Sequence, residues 1–228
     1  MRMIPFSSLP ENMQVEEVKH YYDILKQKGR SLFFKRVLDL SLALILCIIL
    51  LLPMFVIALI IMFSSKGPII YKQVRVTTFN REFRIWKFRT MKVGSDALGE
   101  LTCSDDDRVT GVGRFLRKYR LDELPQIFHV ISGNMSIVGT RPEVPRYTKE
   151  YTPEMMATLL MPAGVTSLAS IMFKDEAELL ENCDDADKVY INDILPQKMK
   201  YNLEYLEKFG FRRDLKLILK TVKEVVSS

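Results

Sequence analysis

Residues 40–63 form an uncharged apolar run with Pro53 near its midpoint and basic residues at both ends. A helix that crosses a bilayer needs roughly 20 apolar residues, so this run is long enough to enter one. Proline inside a helix removes a backbone hydrogen bond and crowds the preceding turn, so Pro53 predicts a bend. Lys28, Arg30, Lys35 and Arg36 come before the run; Lys66, Lys72 and Arg75 come after it. A one-way span favours basic residues on its cytoplasmic side. Two basic flanks favour a hairpin that dips in and returns to the same face, with an ordinary kinked span as the alternative. Backbone groups in hydrocarbon must be satisfied internally, so a re-entrant helix has to keep its hydrogen bonds through the bend.

The chain's 228 residues suffice for one domain plus an anchor. A net charge of +5 suits a protein that lies on anionic lipid or handles a phosphorylated substrate. Nucleic acid is the rival partner for a basic chain. The base-stacking spacing of RNA-binding modules is missing, and the apolar run takes the chain to a membrane instead. The three cysteines, Cys47, Cys103 and Cys183, follow no metal-site spacing, and their odd number favours a reducing compartment. The apolar run starts too late and is too long for a cleaved signal peptide.

Three regions follow. Residues 1–30 are a polar extension whose Val15, Val18, Tyr22 and Leu25 lie near helical spacing and predict a surface helix. Residues 31–66 hold the membrane helix, ended by Gly67-Pro68. Residues 67–228 form the soluble domain. Within it, residues 69–76 and 82–91 are β-rich runs that predict a hairpin. Residues 94–110 are acidic and loop-like. Residues 115–119 and 123–132 predict short helices, and residues 133–145 a Gly- and Pro-rich loop. Pro162-Ala163-Gly164 punctuates again. The tail carries two amphipathic patterns. One is Ile191, Ile194, Leu195, Met199, Leu203 and Leu206; the other is Leu215, Ile218, Leu219, Val222, Val225 and Val226. Such stripes are core or membrane-surface faces. The expected fold class is α+β: a small catalytic domain with a proline-kinked re-entrant helix and amphipathic surface helices.

The stretch Arg117-Lys118-Tyr119-Arg120-Leu121-Asp122-Glu123-Leu124-Pro125-Gln126 carries the most chemistry. Proline is tolerated in the first turn of a helix, which places Asp122 at or beside a helix N-terminus. The positive end of the dipole favours an ionised carboxylate there. Beside Arg117 and Arg120, such a carboxylate is suited to attack an electrophilic phosphorus while the cations offset the phosphate's own charge. Glu123 could bind a metal or manage protons. The plainer alternative is a helix cap, for which Asp is a favoured residue.

The segment from Arg120 to Pro142 closely resembles the signature of the bacterial sugar transferases, the monotopic phosphoglycosyl transferases, which reads roughly S-L-D-E-L-P-Q-x-x-N-V-x-x-G-D-M-S-x-V-G-P-R-P. Other segments match in order. Lys35-Arg36-Val37-Leu38-Asp39 resembles the K-R-x-x-D that opens the family's membrane helix. Gly67-Pro68-Ile69-Ile70-Tyr71-Lys72-Gln73-Val74-Arg75 resembles G-P-v-f-y-x-Q-x-R. Phe83-Arg84-Ile85-Trp86-Lys87-Phe88-Arg89-Thr90-Met91 resembles F-x-i-y-K-F-R-[ST]-M, and Asp214-Leu215-Lys216 resembles a terminal D-L-k. The resemblance implies transfer of a phosphosugar from a UDP-sugar to polyprenyl (undecaprenyl) phosphate, with release of UMP, as the first membrane step of a surface glycan. It implies Asp122 as nucleophile through a covalent phosphosugar intermediate, Glu123 as its partner, and Mg2+ held at Asp122 and Glu123. It places substrate-binding basic groups at Arg89, Arg117, Arg141 and Lys87, and makes Pro53 part of a re-entrant geometry. The implied location is the bacterial inner membrane with the catalytic domain on the cytoplasmic face, and downstream glycosyltransferases are candidate partners. Nucleic acid is not expected as one.

The chain departs from that pattern in several places. Thr140 stands where the family has the first proline of G-P-R-P. His129 replaces an asparagine and reads as structural, and Asn134 replaces an aspartate. The later R-P-G-[IV]-T-G appears as Met161-Pro162-Ala163-Gly164-Val165-Thr166-Ser167, without its arginine and with one residue inserted; Lys174 is a candidate substitute. The rival readings are an inactive membrane-surface scaffold for glycan assembly and a transferase with a hydroxyl acceptor. Arg89 and Arg141 could instead pair with Glu82 and Glu143. The run Ser104-Asp105-Asp106-Asp107 reads as a solvated loop rather than a metal site.

Overall fold

The computed structural model describes residues 3–95, 106–174, 176–180 and 185–227. Cys103, Cys183, Ser104 and Asp105 lie outside them, as do the side chains of Val225 and Val226.

Helix α1 (Glu16–Gln27) turns Val18, Tyr21, Tyr22 and Leu25 inward. They join Leu9 and Met13 in a core shared with the 3-10 turn Met155–Leu160 and with Tyr205, Leu206 and Leu217. Tyr21 Oη donates to Glu154 at 2.8 Å. Residues 3–27 therefore pack into the domain's own core.

Helix α2 (Gly29–Ser64) is long and apolar enough to cross a membrane. Its 36 residues run about 54 Å at 1.5 Å per residue. Pro53 lies inside it, and the helix continues on both sides. Both ends pack on the domain. In the first half, Lys35 Nζ donates to Val138 O (2.7 Å) and Asp214 (2.8 Å), and Arg36 donates to Val130 O and Ile131 O. Asp39 accepts from Ser136 Oγ (2.7 Å) and Ile137 N (3.0 Å). In the second half, Met54, Ile57 and Ile61 pack against Phe88 and Leu116. Between these anchors, Ile48, Ile49, Leu51 and Leu52 face outward, Ile48 at 78% exposure.

Strands β1 (Ile70–Thr77) and β2 (Arg81–Phe88) form the expected antiparallel hairpin, with Tyr71 opposite Lys87. Its connection passes through Phe79 and Asn80 at positive φ. Helix α3 (Gly111–Lys118) is capped by Thr110. The single helix expected over 123–132 divides into a 3-10 turn, Leu121–Gln126, and helix α4 (Ile127–Ser132).

Two segments differ from the sequence expectation. The stretch read as a loop contains β3 (Met135–Val138). The Pro162-Ala163-Gly164 break opens β4 (Ala163–Thr166), which pairs with β3 in parallel. The glycines mark a close crossing rather than a turn. A Cβ on Gly164 would stand 2.2 Å from the backbone of Gly139.

Short helices α5 (Pro145–Thr148), α6 (Leu168–Met172), α7 (Glu176–Leu180) and α8 (Ala186–Val189) follow. Helix α9 (Leu195–Glu207) continues α8 through a π turn, and α10 (Phe211–Ser227) closes the fold. The two amphipathic stripes of the tail lie on α9 with its π turn and on α10. Asp214 receives bonds from Lys35 and Tyr205 (2.7 Å), which tie α10 to α2.

Candidate active site

Asp122 and Glu123 lie in the first turn of the 3-10 segment, after Arg120 in the left-handed region. Both carboxylates face a cavity of about 1290 Å³. The hairpin forms one wall. Tyr71, Gln73 and Arg75 alternate along β1 and so share one face, and Lys87 and Arg89 come from β2 and its end. Leu46 and Leu50 of α2 form an apolar wall beside them.

Glu123 is the hub of the charged cluster. Its Oε1 accepts from Lys87 Nζ at 2.9 Å and from Arg141 Nη2 at 2.6 Å; its Oε2 receives a longer contact, 3.4 Å, from Arg141 Nη1. Burial alone would push this carboxyl up, but the charges of Arg141 and Lys87 outweigh it and hold Glu123 well below the usual range.

Asp122 differs. It is 8% exposed and accepts no hydrogen bond from a described side chain. Burial pushes its carboxyl up, while Lys87, Arg117 and Arg141 draw it back down and Glu123 adds to the rise. The dipole expectation from sequence thus misses the larger effect: the short 3-10 turn supplies little field, and desolvation dominates. The carboxyl is thus poorly solvated and set among cations; once ionised, a carboxylate in such a place is a stronger nucleophile than one in water.

Arg117, Arg141, Lys87 and Arg89 all reach the cavity wall. Arg117 Nε donates to Thr90 Oγ1 at 2.9 Å. Burial lowers both Arg117 and Lys87 from their ordinary values. Arg141 pairs with Glu123 and not with Glu143, which is taken up by Lys198 and Tyr190. Arg89 does not pair with Glu82. Its terminal nitrogens donate to the carbonyls of Pro68 and Ser65, just beyond α2. Pro53 stands away from the dyad, inside α2. His129 accepts the Trp86 N–H through Nε2 at 3.1 Å, and burial lowers it, so this imidazole serves as a neutral structural acceptor.

Magnesium is held by one or two carboxylates completed by water and substrate phosphates. Among the described residues no group of three metal-type ligands converges. The open oxygens of Asp122 and the less engaged Oε2 of Glu123 fit such a sparse donor set.

Arg75 and Gln126 stand in the matched motifs, but the sequence reading gave neither a role in the site. Arg75 donates to Pro142 O (3.1 Å) and so fixes the segment after Arg141. The period-two series Tyr71, Gln73, Arg75 on a predicted strand was the available signal. Gln126 is buried with an unpartnered Nε2.

The chain is similar to several known proteins. A UDP-glucose:undecaprenyl-phosphate glucose-1-phosphate transferase of Klebsiella pneumoniae is 34% identical over 200 residues, covering 85% of this chain and 40% of that protein. A UDP-N-acetylgalactosamine-undecaprenyl-phosphate N-acetylgalactosaminephosphotransferase of Aeromonas hydrophila is also 34% identical, over 86% of this chain and 44% of that protein. A UDP-glucose:undecaprenyl-phosphate glucose-1-phosphate transferase of Caulobacter vibrioides is 32% identical over 85% of this chain and 70% of its own length. The chain thus spans about two fifths of the first two relatives. The profile of the family described as bacterial sugar transferase matches residues 30–228, a span that holds Asp122, Glu123 and every basic residue of the cavity named above, and the chain belongs to that family.

Proposed function

We propose that this protein transfers a phosphosugar from a UDP-sugar to undecaprenyl phosphate through a covalent intermediate on Asp122. The observation that carries this reading is the open Asp122 carboxylate, facing a cavity shared by Lys87, Arg117, Arg141 and the apolar Leu46 and Leu50. An Asp122 oxygen attacks the phosphorus that bears the sugar. The bond from that phosphorus to the UMP oxygen breaks, and UMP leaves. A phosphate oxygen of the lipid then attacks the same phosphorus and frees Asp122. Positioning and charge neutralisation carry most of such a transfer. Arg117 and Arg141 suit the phosphate oxygens because a guanidinium can hold two at once. Glu123 keeps Lys87 and Arg141 aimed at the cavity. Bound magnesium would offset further charge on the diphosphate.

The placement of α2 supports a re-entrant membrane helix. Lys35 and Ile57, about 33 Å apart along a helix, both pack on the one domain. Both ends of α2 then belong on the domain's side of the bilayer, the cytoplasmic face of the inner membrane, with residues near Ile48 to Leu52 in lipid. An acceptor phosphate at headgroup level would meet the dyad beside Leu46 and Leu50. The product would begin a surface glycan and pass to downstream glycosyltransferases.

Mass spectrometry of protein given UDP-sugar without lipid tests the mechanism. The expected result is a gain of one phosphosugar and one equivalent of UMP. Release of UDP instead would overturn it.

A further inference from the structure

The cavity is not uniform in charge. Around the dyad its wall is cationic, through Lys87, Arg117 and Arg141. From Arg141 the wall passes to β4, where Gly139 N donates to Thr166 O at 3.0 Å. Thr166 Oγ1 lies 2.8 Å from Thr221 Oγ1 of α10. Ser170 on α6, Lys174 after it and Glu224 on α10 complete this side. Lys174 Nζ stands 3.9 Å from Glu224 Oε2, with side chains 50% and 39% exposed.

A carboxylate in this wall disfavours a diphosphate, and it also offsets the charge of Lys174. The same set of groups suits neutral hydroxyls. A carboxylate accepts from a hydroxyl and an ammonium donates to one; Thr221, whose own proton goes to Leu217 O at 2.9 Å, accepts, and Ser170, 2.9 Å from Ser167 Oγ, can share its hydroxyl. Met161, which stands where the family has an arginine, is buried in the core and contributes no charge here.

We propose that Ser170, Lys174, Thr221 and Glu224 form a hydroxyl-recognition subsite for the polyol part of the nucleotide-sugar donor. The proposal rests on the reading of Asp122 as the group that takes the phosphosugar. The hydroxyls belong either to the hexose or to the ribose, and the two sources are separable. A site built to hydrogen-bond a hydroxyl discriminates strongly against a substrate that lacks or misplaces it, because its own polar groups are then left unpaired.

The test uses the full chain in detergent with undecaprenyl phosphate, read by UMP release. Donors are UDP-glucose, UDP-galactose, their N-acetylamino counterparts, and the 2′-deoxyribose form of the best of them. Glu224→Gln and Lys174→Met are expected to lower kcat/KM for the best hexose about tenfold more than for its C4 epimer, so the preference narrows. If hexose preferences hold and discrimination against the 2′-deoxy donor narrows, the subsite reads the ribose and hydroxyl recognition stands. Unchanged ratios in both folded variants overturn the subsite. No UMP from any donor in the wild type would overturn the Asp122 reading, and the subsite with it.

Discussion

Asp122 and Glu123 are neighbours in sequence and opposites in electrostatics. Burial raises the Asp122 carboxyl, so the folded protein holds that proton more tightly than the unfolded chain does. Its contribution to stability is present at low pH and is lost as pH rises from the unfolded value, about 3.9, through the raised folded one. The ionised form of the group therefore weighs against the fold. Asp122→Asn should abolish adduct formation and UMP release, yet melt at or above the wild-type temperature at pH 7.5, with the gap closing near pH 4. Residual turnover in this folded variant would return Asp122 to a capping role, which Asn fills nearly as well. Glu123 has the reverse sign. Lys87 and Arg141 overcome the effect of burial and depress it, so its stabilisation exists above the unfolded value and disappears as pH falls through the folded one. Glu123→Gln should lose about 3 kcal/mol at pH 7.5, because Lys87 and Arg141 are left facing one another without their shared partner. Denaturant titration of both variants checks the contrast. Arg141→Ala should lower turnover by at least about tenfold, or 1.4 kcal/mol of transition-state stabilisation, in a chain that still folds.

At the scale of elements, the crossing of β3 and β4 places Arg141 between the dyad and the α6–α10 wall. Gly139 N bonds Thr166 O, and Gly164 N bonds Thr140 O at 2.8 Å, so the loop carrying Arg141 hangs from this pair. A methyl group on Gly164 would collide with backbone that cannot yield cheaply. Gly164→Ala is expected to cost about 3 kcal/mol and to reduce turnover beyond what the unfolded fraction explains; both follow from calorimetry beside a UMP assay. This crossing was the least legible part of the sequence. Each strand has four residues, too few to show a period of two, and the glycines that permit close approach look the same as glycines that turn a chain. The β1–β2 hairpin was legible because eight-residue strands do show their alternation. The dyad was legible through its motif, but its pKa was not: the desolvation of Asp122 comes from the tertiary burial of a turn that sequence places only beside a helix start. Arg89 shows the same limit. The sequence marks it as a cation near the site, whereas its bonds to Ser65 and Pro68 depend on where α2 ends in space.

Across the whole molecule, α2 is held at both ends by one domain, and this arrangement makes a prediction about topology. Residues 3–27 pack into the same core, through Met13, Val18 and Leu25, so they are held to the domain as well. A through-span would require α2 to detach either Lys35, Arg36 and Asp39 from β3, α4 and α10, or Met54, Ile57 and Ile61 from Phe88 and Leu116. The first choice strands buried charges that are now paired, at several kcal/mol. The second exposes three buried apolar side chains and opens the cavity wall near Leu50. Lipid returns neither loss, since under the proposed placement it would already solvate the outward face around Ile48. In a cysteine-free background, single cysteines at exposed positions before and after α2, Ser8→Cys and Lys66→Cys, should both resist a membrane-impermeant thiol reagent in intact cells and both react after permeabilisation. Reaction of only one of them from outside would establish a span. Pro53 gives a second handle on the same geometry. It lies between the two anchored stretches, and its missing N–H relaxes the helix at that point. Pro53→Leu restores the bond and favours a straight rod. If a bend there lets both ends reach the domain, the variant should lower UMP release with lipid acceptor while the isolated step on Asp122, read by adduct mass, survives better. Equal loss of both steps would instead place the effect of Pro53 in folding.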